Sequence, residues 1–333
     1  MTVNINGSTG ISLVQDATIT PAKLSVPLVG RNLIVNGSCQ VDQVNSGALV
    51  SPMVDNSYPL DNLNAGSTQT GKLSIRQITT SALNSLGSTH AIQLTVLSQF
   101  TPATGDNFMV RFYVEGLNLA HLQWGTANAS PVSLQFKINA SVSGTYSGAF
   151  RNQSGTRSYP FSFTVVANTP TLVKIENIPG ETTGTWVIDN NNSLLLFFDL
   201  GSGATYQGTA NAWTSTGSPR SVTGATNLVS QVNGSTLDIT DVQLEKGSYC
   251  TTFERKLYDQ VLRECQRYFE TSAMYIPDSG SLPTNWFFKT TKCASPTITC
   301  GAAGYGTYGT TVNQVAHRQT TAANSTVTAS ARL

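Results

Sequence analysis

The amino-acid sequence predicts a mainly β protein, with a jelly-roll β-sandwich, one linking helix and a small C-terminal β module. Apolar and polar residues alternate in several short segments, as in VSLQFKI at 132–138, and this alternation is typical of half-buried strands. Clusters of Gly, Asn and Pro separate these segments, and no regular succession of strands and helices appears. Only 11% of the residues are charged, so the helix-forming residues Glu, Lys and Arg are scarce.

Residues 1–30 are predicted to form an arm rather than a domain. This stretch is polar, and Pro21 and Pro27 interrupt its short apolar pairs. It therefore carries too little apolar surface to build a core of its own. A disordered tail is the alternative interpretation, because polar arms commonly stay unstructured.

Residues 31–256 are predicted to form the sandwich. FMVRFYV at 108–114 and YPFSFTV at 159–165 alternate, which predicts strands with one buried face. LLLFFDL at 194–200 is almost continuously apolar, so it is predicted to be covered on both faces. Several short strands with long intervening loops fit a jelly roll.

The stretch 237–270 predicts a strand followed by the linking helix. In LDITDVQL at 237–244 the apolar residues change parity midway, which predicts a β-bulge near Thr240 and Asp241. Residues 257–270 carry apolar residues at spacings of three and four, which predicts a helix with one buried face.

Residues 271–333 are predicted to form a second, small β module. Its strands are long but weakly apolar, and its length is close to the minimum for a domain that folds alone. Such a module gains buried surface when identical copies join around an axis.

The charge and the cysteine content exclude several classes of protein. A formal net charge of +1 gives no field for nucleic acid or anionic lipid, and no apolar stretch is long enough for membrane insertion. The five cysteines are odd in number and include no C-x-x-C pair, which indicates thiols made in a reducing cytoplasm. A disulfide between Cys293 and Cys300 is the alternative. The N-terminus lacks a basic region followed by an apolar one, so we expect no secretory signal.

No catalytic, cofactor or metal motif is apparent, so we expect a protein that is not an enzyme. His90, His121 and His317 lie far apart, without the spacing of a zinc site or a catalytic triad. GAAGYGTYG at 301–309 lacks the Lys and the helix of a phosphate-binding loop. Glycoside hydrolysis needs two carboxylates, and no spacing singles out a pair among the aspartates. The pairs considered are Asp189 with Asp199, and Asp238 with Asp241.

Aromatic residues in polar loops are the candidates for glycan binding, because rings stack on the apolar faces of sugars. Trp213 is the strongest candidate, since its loop is too polar and Gly-rich to be core. The other candidates are Tyr206, Asn211, Trp286, Tyr305 and Tyr308. Trp124 and Trp186 have apolar neighbours and are expected to be buried. An exposed aromatic residue also suits a subunit interface, which remains the alternative.

The segment DVQLEKGSYCTTFERKLYDQVLRECQRYFE at 241–270 resembles the tail-fibre and receptor-binding proteins of tailed bacteriophages. In that family a QLE-x-G strand end, an F-E pair and a helix ending C-Q-R-Y-[FY] close a carbohydrate-binding-module-like β-sandwich. NLIVNG at 32–37 looks like its first strand, and 125–146 resembles a central strand pair. KCASPTITC at 292–300 and TASARL at 328–333 are similar to its C-terminal module.

The resemblance implies a virion protein that attaches the phage to a host-surface glycan. It further implies that the arm binds other virion structural proteins and that the chain forms a homotrimer. A purely structural virion component is the alternative, and a polysaccharide depolymerase is disfavoured because no long β-helical repeat is present. Related sandwiches often hold a structural calcium ion, but Gln40 stands where an acidic ligand is expected. Asp241 is instead expected to be a hydrogen-bonded structural residue at the bulge.

Overall fold

The computed structural model describes residues 30–79, 81–276, 284–300, 305–319 and 323–333. It also describes the backbone of two short paired strands, β1 (Ile5–Asn6) and β2 (Gly10–Ile11). Apart from these two strands and residue 30, the predicted arm lies outside the described residues. Among the helices that the structure describes, none has the length and apolar character of a membrane span.

Two antiparallel sheets pack face to face, which confirms the mainly β sandwich. The six-stranded sheet has the order β3 (Ser57–Leu60), β4 (Leu63–Ser67), β7 (Asn107–Glu115), β12 (Asn192–Ser202), β9 (Gly144–Asn152) and β10 (Ser158–Val165). The five-stranded sheet has the order β5 (Leu73–Ile78), β6 (Ala91–Val96), β15 (Thr236–Lys246), β8 (Val132–Ala140) and β11 (Thr171–Ile178). The chain passes repeatedly from one sheet to the other, as in a jelly roll.

Large aromatic side chains fill the space between the two sheets. The Phe136 ring of β8 meets Phe198 of β12 and Phe163 of β10 edge to face, at centroid distances of 4.9 Å in both cases. Phe136 is fully buried, as the alternation of apolar and polar residues in VSLQFKI predicts. Edge-to-face pairs of this kind stabilise a core by about 0.5–1.5 kcal/mol beyond the burial of their area.

The segment 194–200 is covered on both faces, as its apolar run predicts. It forms the centre of β12, paired with β7 on one side and β9 on the other, and every residue in it is buried. On the outer face Leu195 and Phe197 pack with Met109. The Arg151 guanidinium covers this small cluster, lying 5.0 Å from the centre of the Phe197 ring.

The predicted bulge in β15 is confirmed. The register with β8 shifts between Thr240 and Gln243, and Asp241 has a φ of 49°. The bulge turns the Asp241 carboxylate to the outer face of the five-stranded sheet. There it accepts hydrogen bonds from Lys137 (2.8 Å) and Arg255 (3.0 Å), so Asp241 is the hydrogen-bonded structural residue that was expected.

Two elements implied by the family resemblance differ in the structure. Residues 32–37 form a loop that ends in a turn instead of a first strand. The Leu33 N–H donates to the Leu244 carbonyl oxygen at 2.8 Å, and the Val242 N–H donates to the Gly37 carbonyl oxygen at 2.9 Å. The segment thus contacts β15 through two backbone hydrogen bonds, and a Cβ atom at Gly37 would lie only 2.0 Å from the Val242 carbonyl oxygen. The segment 125–146 does not supply a strand pair, because β8 and β9 belong to opposite sheets and residues 141–143 cross between them.

The linking helix is shorter than the predicted 257–270. Besides the short helix α1 (Gly116–Leu119), the structure has α2 (Tyr258–Gln266), in which Val261 and Cys265 are buried. Phe269 begins a strand instead of continuing the helix, because its backbone pairs with Ser330. The spacing of the apolar residues thus predicts burial beyond Gln266, but strand pairing decides the backbone conformation.

The C-terminal module consists of two three-stranded sheets. One has the order β16 (Phe269–Ile276), β21 (Ala323–Ser330) and β18 (Thr297–Cys300). The other has the order β17 (Thr284–Phe287), β20 (Gln314–Arg318) and β19 (Gly306–Thr310). Cys293 is a buried thiol that donates to the Ala331 carbonyl oxygen, so the alternative disulfide does not form.

Buried polar contacts join the module to the sandwich. The Glu115 carboxylate at the end of β7 accepts hydrogen bonds from Arg267 (2.5 Å) and from the Tyr268 hydroxyl (2.6 Å). Burial and the neighbouring Glu115 raise the pKa of Tyr268, so its hydroxyl keeps its proton and donates. A second contact joins the Tyr58 hydroxyl to the Leu333 carbonyl oxygen at 2.6 Å.

Candidate functional site

Trp213, the strongest sequence candidate, lies at the edge of a tryptophan cluster. Its ring packs edge to face against Trp124 (5.4 Å) and Trp186 (5.9 Å), and its Nε1 donates to the Pro179 carbonyl oxygen. Trp124 and Trp186 are buried, as predicted. Trp213 is half-buried and packs against the main core, so the polarity of its loop gave a misleading estimate of its environment.

The neighbours expected for Trp213 have other contacts. Tyr206 is half-buried and carries the Arg220 guanidinium 4.3 Å above its ring. Asn211 is exposed, with a positive φ of 63°, and its backbone N–H donates to the Pro160 carbonyl oxygen. Tyr206 and Trp213 thus belong to different aromatic clusters.

Two of the candidates in the C-terminal module, Trp286 and Tyr305, pack against its core. Trp286, expected at the surface, is only 7% exposed, because the pairing of β17 with β20 turns its ring into the module core. Tyr305 is half-buried, packs against the same core and meets the His317 ring edge to face at 6.0 Å. The side chain of Tyr308 lies outside the described residues.

A groove of about 690 Å³ lies on the outer face of the five-stranded sheet. We call it the Tyr249 groove. Its apolar wall consists of Leu86, Leu172, Tyr249 and Phe253. Its polar lining includes Gln135, Lys137, Lys174, Glu176, Thr251, Thr252, Cys250 and Arg255. Tyr249 is 61% exposed and Leu172 is 47% exposed, so apolar surface faces solvent there.

The loop that carries the aromatic residues of the groove is fixed by buried hydrogen bonds. The Glu245 carboxylate accepts from the Thr251 backbone N–H (2.8 Å) and from its hydroxyl (2.6 Å). The Gln135 side-chain amide donates to the Thr251 carbonyl oxygen at 2.6 Å. The loop is therefore held in place before any ligand arrives, which lowers the entropic cost of binding.

The charges of the groove are partly neutralised by one another. Asp241, turned outward by the bulge, holds Lys137 and Arg255 at its base. The Glu176 carboxylate accepts from the Cys250 backbone N–H at 2.9 Å. Burial raises the pKa of the Cys250 thiol to about 11, so this sulfur is neutral and weakly nucleophilic at pH 7.

The groove offers several groups that can bind a ligand. Tyr249 and Phe253 provide rings for stacking, and Lys174 and Arg255 provide donors for hydroxyl oxygens. In the part of the chain that the structure describes, no group of three or more His, Cys, Asp or Glu side chains is placed to hold a metal ion.

Sequence reasoning missed Tyr249 and Phe253. Both lie in GSYCTTFE at 247–254, between the end of β15 and α2. Two aromatic residues four apart in an otherwise polar stretch were the available signal. Their position over the sheet depends on Glu245 and Gln135, a pairing that the sequence does not reveal.

No protein-family model and no curated protein sequence matches the chain. Among solved structures, a putative sugar binding protein from Bacteroides thetaiotaomicron is similar over 65% of this chain and 100% of its own, with 12% identity and a TM-score of 0.37. The enzymatically active domain of tailspike protein 4 from bacteriophage CBA120 matches 65% of this chain, with 12% identity and a TM-score of 0.36. This match spans only 21% of the tailspike chain. A family 11 carbohydrate-binding module from Clostridium thermocellum matches 60% of this chain and 98% of its own, with 13% identity and a TM-score of 0.30.

Proposed function

We propose that this chain is a non-enzymatic phage virion fibre protein that binds host-surface carbohydrate in the Tyr249 groove. The observation that supports glycan binding is the exposed Tyr249 ring, which lines the groove together with Phe253 and a set of polar side chains. A sugar ring has an apolar face and a rim of hydroxyl groups, and this pairing of rings with amide and charged groups complements both.

The rigidity of the groove supports recognition of a weakly held ligand. A single sugar contact is weak, and a mobile loop would lose part of that free energy to ordering. The Glu245 and Gln135 hydrogen bonds remove this loss. Repeated copies on one particle would then convert weak contacts into firm attachment through effective concentration.

The virion half of the proposal rests on the resemblance of 241–270 to phage tail-fibre proteins. In this proposal the N-terminal arm binds other virion proteins, three copies form the fibre, and the groove faces the host. A purely structural virion component is the second candidate. It is favoured by the tryptophan cluster around Trp213, whose rings pack on each other and whose indole N–H groups are all satisfied within the chain.

The test is a binding measurement on an array of bacterial envelope polysaccharides with wild type, Tyr249→Ala and Tyr275→Ala. Tyr275 is the matched control, because it is 59% exposed but lies in the C-terminal module. We expect Tyr249→Ala to weaken binding roughly fivefold, since a stacked ring contributes about 1 kcal/mol. Tyr275→Ala should bind as wild type does.

Binding that is lost in both variants or in neither would place the ligand elsewhere. No binding to any polysaccharide by wild type would remove the adhesion half and leave the structural role. Reducing ends released from the bound polysaccharide would show that the chain is an enzyme.

A further inference from the structure

Three arginines lie on the outer face of the six-stranded sheet, opposite the Tyr249 groove. Arg111 of β7 is paired in register with Phe197 of β12, and Arg151 of β9 is paired with Leu195 two residues earlier. Paired residues on neighbouring strands point to the same face of a sheet, so both arginines project from the side on which Leu195 and Phe197 pack. Arg220 reaches the same face from the residue before β14 (Ser221–Val222).

The three guanidinium groups are arranged over an aromatic floor. Arg151 lies 5.0 Å and Arg220 lies 5.9 Å from the centre of the Phe197 ring. Arg220 also covers the Tyr206 ring at 4.3 Å, and Arg111 covers Tyr113 at 5.5 Å. These cation–π contacts fix the planes of the three guanidinium groups.

Neutral side chains take the hydrogen bonds that these arginines do make. Arg111 donates to the side-chain oxygens of Asn64 (2.7 Å) and Asn56 (3.1 Å), and Arg220 donates to that of Asn107 (3.0 Å). Amide oxygens orient the guanidinium groups but do not neutralise them. The cluster therefore keeps its positive charge.

Two buried donors in the cluster have no partner among the described residues. They are the Nε–H groups of Arg151 and Arg220. Burial and the neighbouring guanidinium groups lower the pKa of Arg151 to about 10. The negative charge of Asp55 opposes the lowering of the Arg220 pKa, but none of the ion pairs in the described part of the chain involves Arg111, Arg151 or Arg220. Unsatisfied buried donors and mutually repelling cations are costly without an anion.

We propose that Arg111, Arg151 and Arg220 bind an oxyanion, a carboxylate, phosphate or sulfate group carried by a saccharide. A guanidinium presents N–H groups in a fork that matches two oxygens of such a group. The Tyr113 and Tyr206 rings hold two of these guanidinium groups by cation–π contact. The choice of a saccharide as the carrier rests on the proposed function. This is a second site, because the Tyr249 groove lies on the opposite sheet.

The distribution of charge favours one acidic saccharide over nucleic acid. Nucleic-acid binding needs an extended basic surface that follows successive phosphates. Here the three cations lie in one patch, close enough for each to act on the pKa of another, on a chain whose net charge is +1. A single focus suits one oxyanion on an otherwise neutral ligand.

The test follows the arginine Nε–H resonances by NMR during titration of the full chain with four probes. These are methyl glucuronide, glucose 6-phosphate, methyl glucoside and inorganic phosphate. We expect one or both sugar anions to shift the Arg151 and Arg220 resonances at concentrations where the neutral glucoside has no effect. The difference between the carboxylate and phosphate arms identifies the preferred anion.

Variants connect the shifts to the cluster. Arg151→Gln should weaken binding of the sugar anion about tenfold, because a charge-assisted hydrogen bond contributes roughly 1.5 kcal/mol or more. Arg151→Lys should recover part of the affinity, since it restores the charge without the fork. Arg76→Gln is the control, because Arg76 is an exposed arginine on the five-stranded sheet that donates to Gln93.

Several results would overturn the proposal. One is equal binding of the neutral glucoside, and another is unchanged binding in Arg151→Gln. Inorganic phosphate binding as tightly as both sugar anions would show a free-anion site and refute the saccharide assignment. The wild-type shifts decide the question even if a variant fails to fold. Loss of polysaccharide binding in Tyr249→Ala alone leaves this site untouched, so the two proposals fail separately.

Discussion

The sandwich and the C-terminal module are both built from antiparallel strands, but their interiors differ greatly in size. The sandwich core joins both sheets through large rings, including Phe112, Phe136 and Phe198. In the part of the module that the structure describes, the buried core cluster comprises Ile276, Trp286, Val315, Val327 and Ala329. A core of this size stabilises a domain only weakly. The module therefore depends on its contacts with the sandwich, whereas the sandwich is expected to fold without the module.

The largest expected effect on stability comes from a substitution of Phe136 in the sandwich core. Phe136→Ala removes a fully buried ring that contacts two others, so the free energy of unfolding should fall by about 3–5 kcal/mol. Urea denaturation followed by tryptophan fluorescence measures the change. Leu172→Ala, at a 47% exposed residue on the neighbouring strand, should change stability by less than about 1 kcal/mol. Similar losses in the two variants would contradict the assignment of the core.

A smaller effect is expected where the module meets the sandwich. Glu115→Gln weakens the acceptor of Arg267 and Tyr268, so the module should unfold at a lower temperature than the sandwich, with a loss of about 1–3 kcal/mol. Calorimetry should show two transitions in place of one. The control is Glu264→Gln, in the part-exposed ion pair of Glu264 with Lys256, and it should have little effect on stability. One unchanged transition in both variants would show that the module is stable alone.

An effect of similar size is expected in the pH dependence of the stability of the sandwich. Burial raises the pKa of Asp199 from 3.8 to about 6. The Asp199 carboxyl group thus holds its proton more tightly in the folded state than in the unfolded state. The protonated group stabilises the fold below about pH 4, and this stabilisation is lost as the pH rises through 6. Asp199→Asn cannot ionise, so its stability relative to wild type should improve by roughly 1–3 kcal/mol between pH 4 and pH 7. Urea denaturation at the two pH values tests this, and a constant difference between variant and wild type would refute it.

The sequence predicts features that depend on local parity better than features that depend on pairing. The bulge at Asp241 follows from a change of parity within one strand, and the burial of 194–200 follows from its unbroken apolar run. The turn at Gly37 and the strand at Phe269 depend on Val242 and Ser330, which lie far away in the chain. Propensity and spacing contain no information on those partners.

The candidate sites show the same limit. Trp286 was expected at the surface, but its exposure depends on which face of β17 the module covers. The arginine cluster was not apparent, because its members come from positions 111, 151 and 220 and converge only when β7 and β9 flank β12. The low overall charge of the chain gave no indication that three positively charged arginines lie together.

The pairing of Phe269 with Ser330 also bears on how the molecule can be altered. The first and last strands of the module adjoin at this pair, so the whole segment between them departs from and returns to one spot on the sandwich. Such an arrangement suits exchange as a cassette: two splice junctions, placed side by side, would suffice to graft a different tip onto an unchanged body.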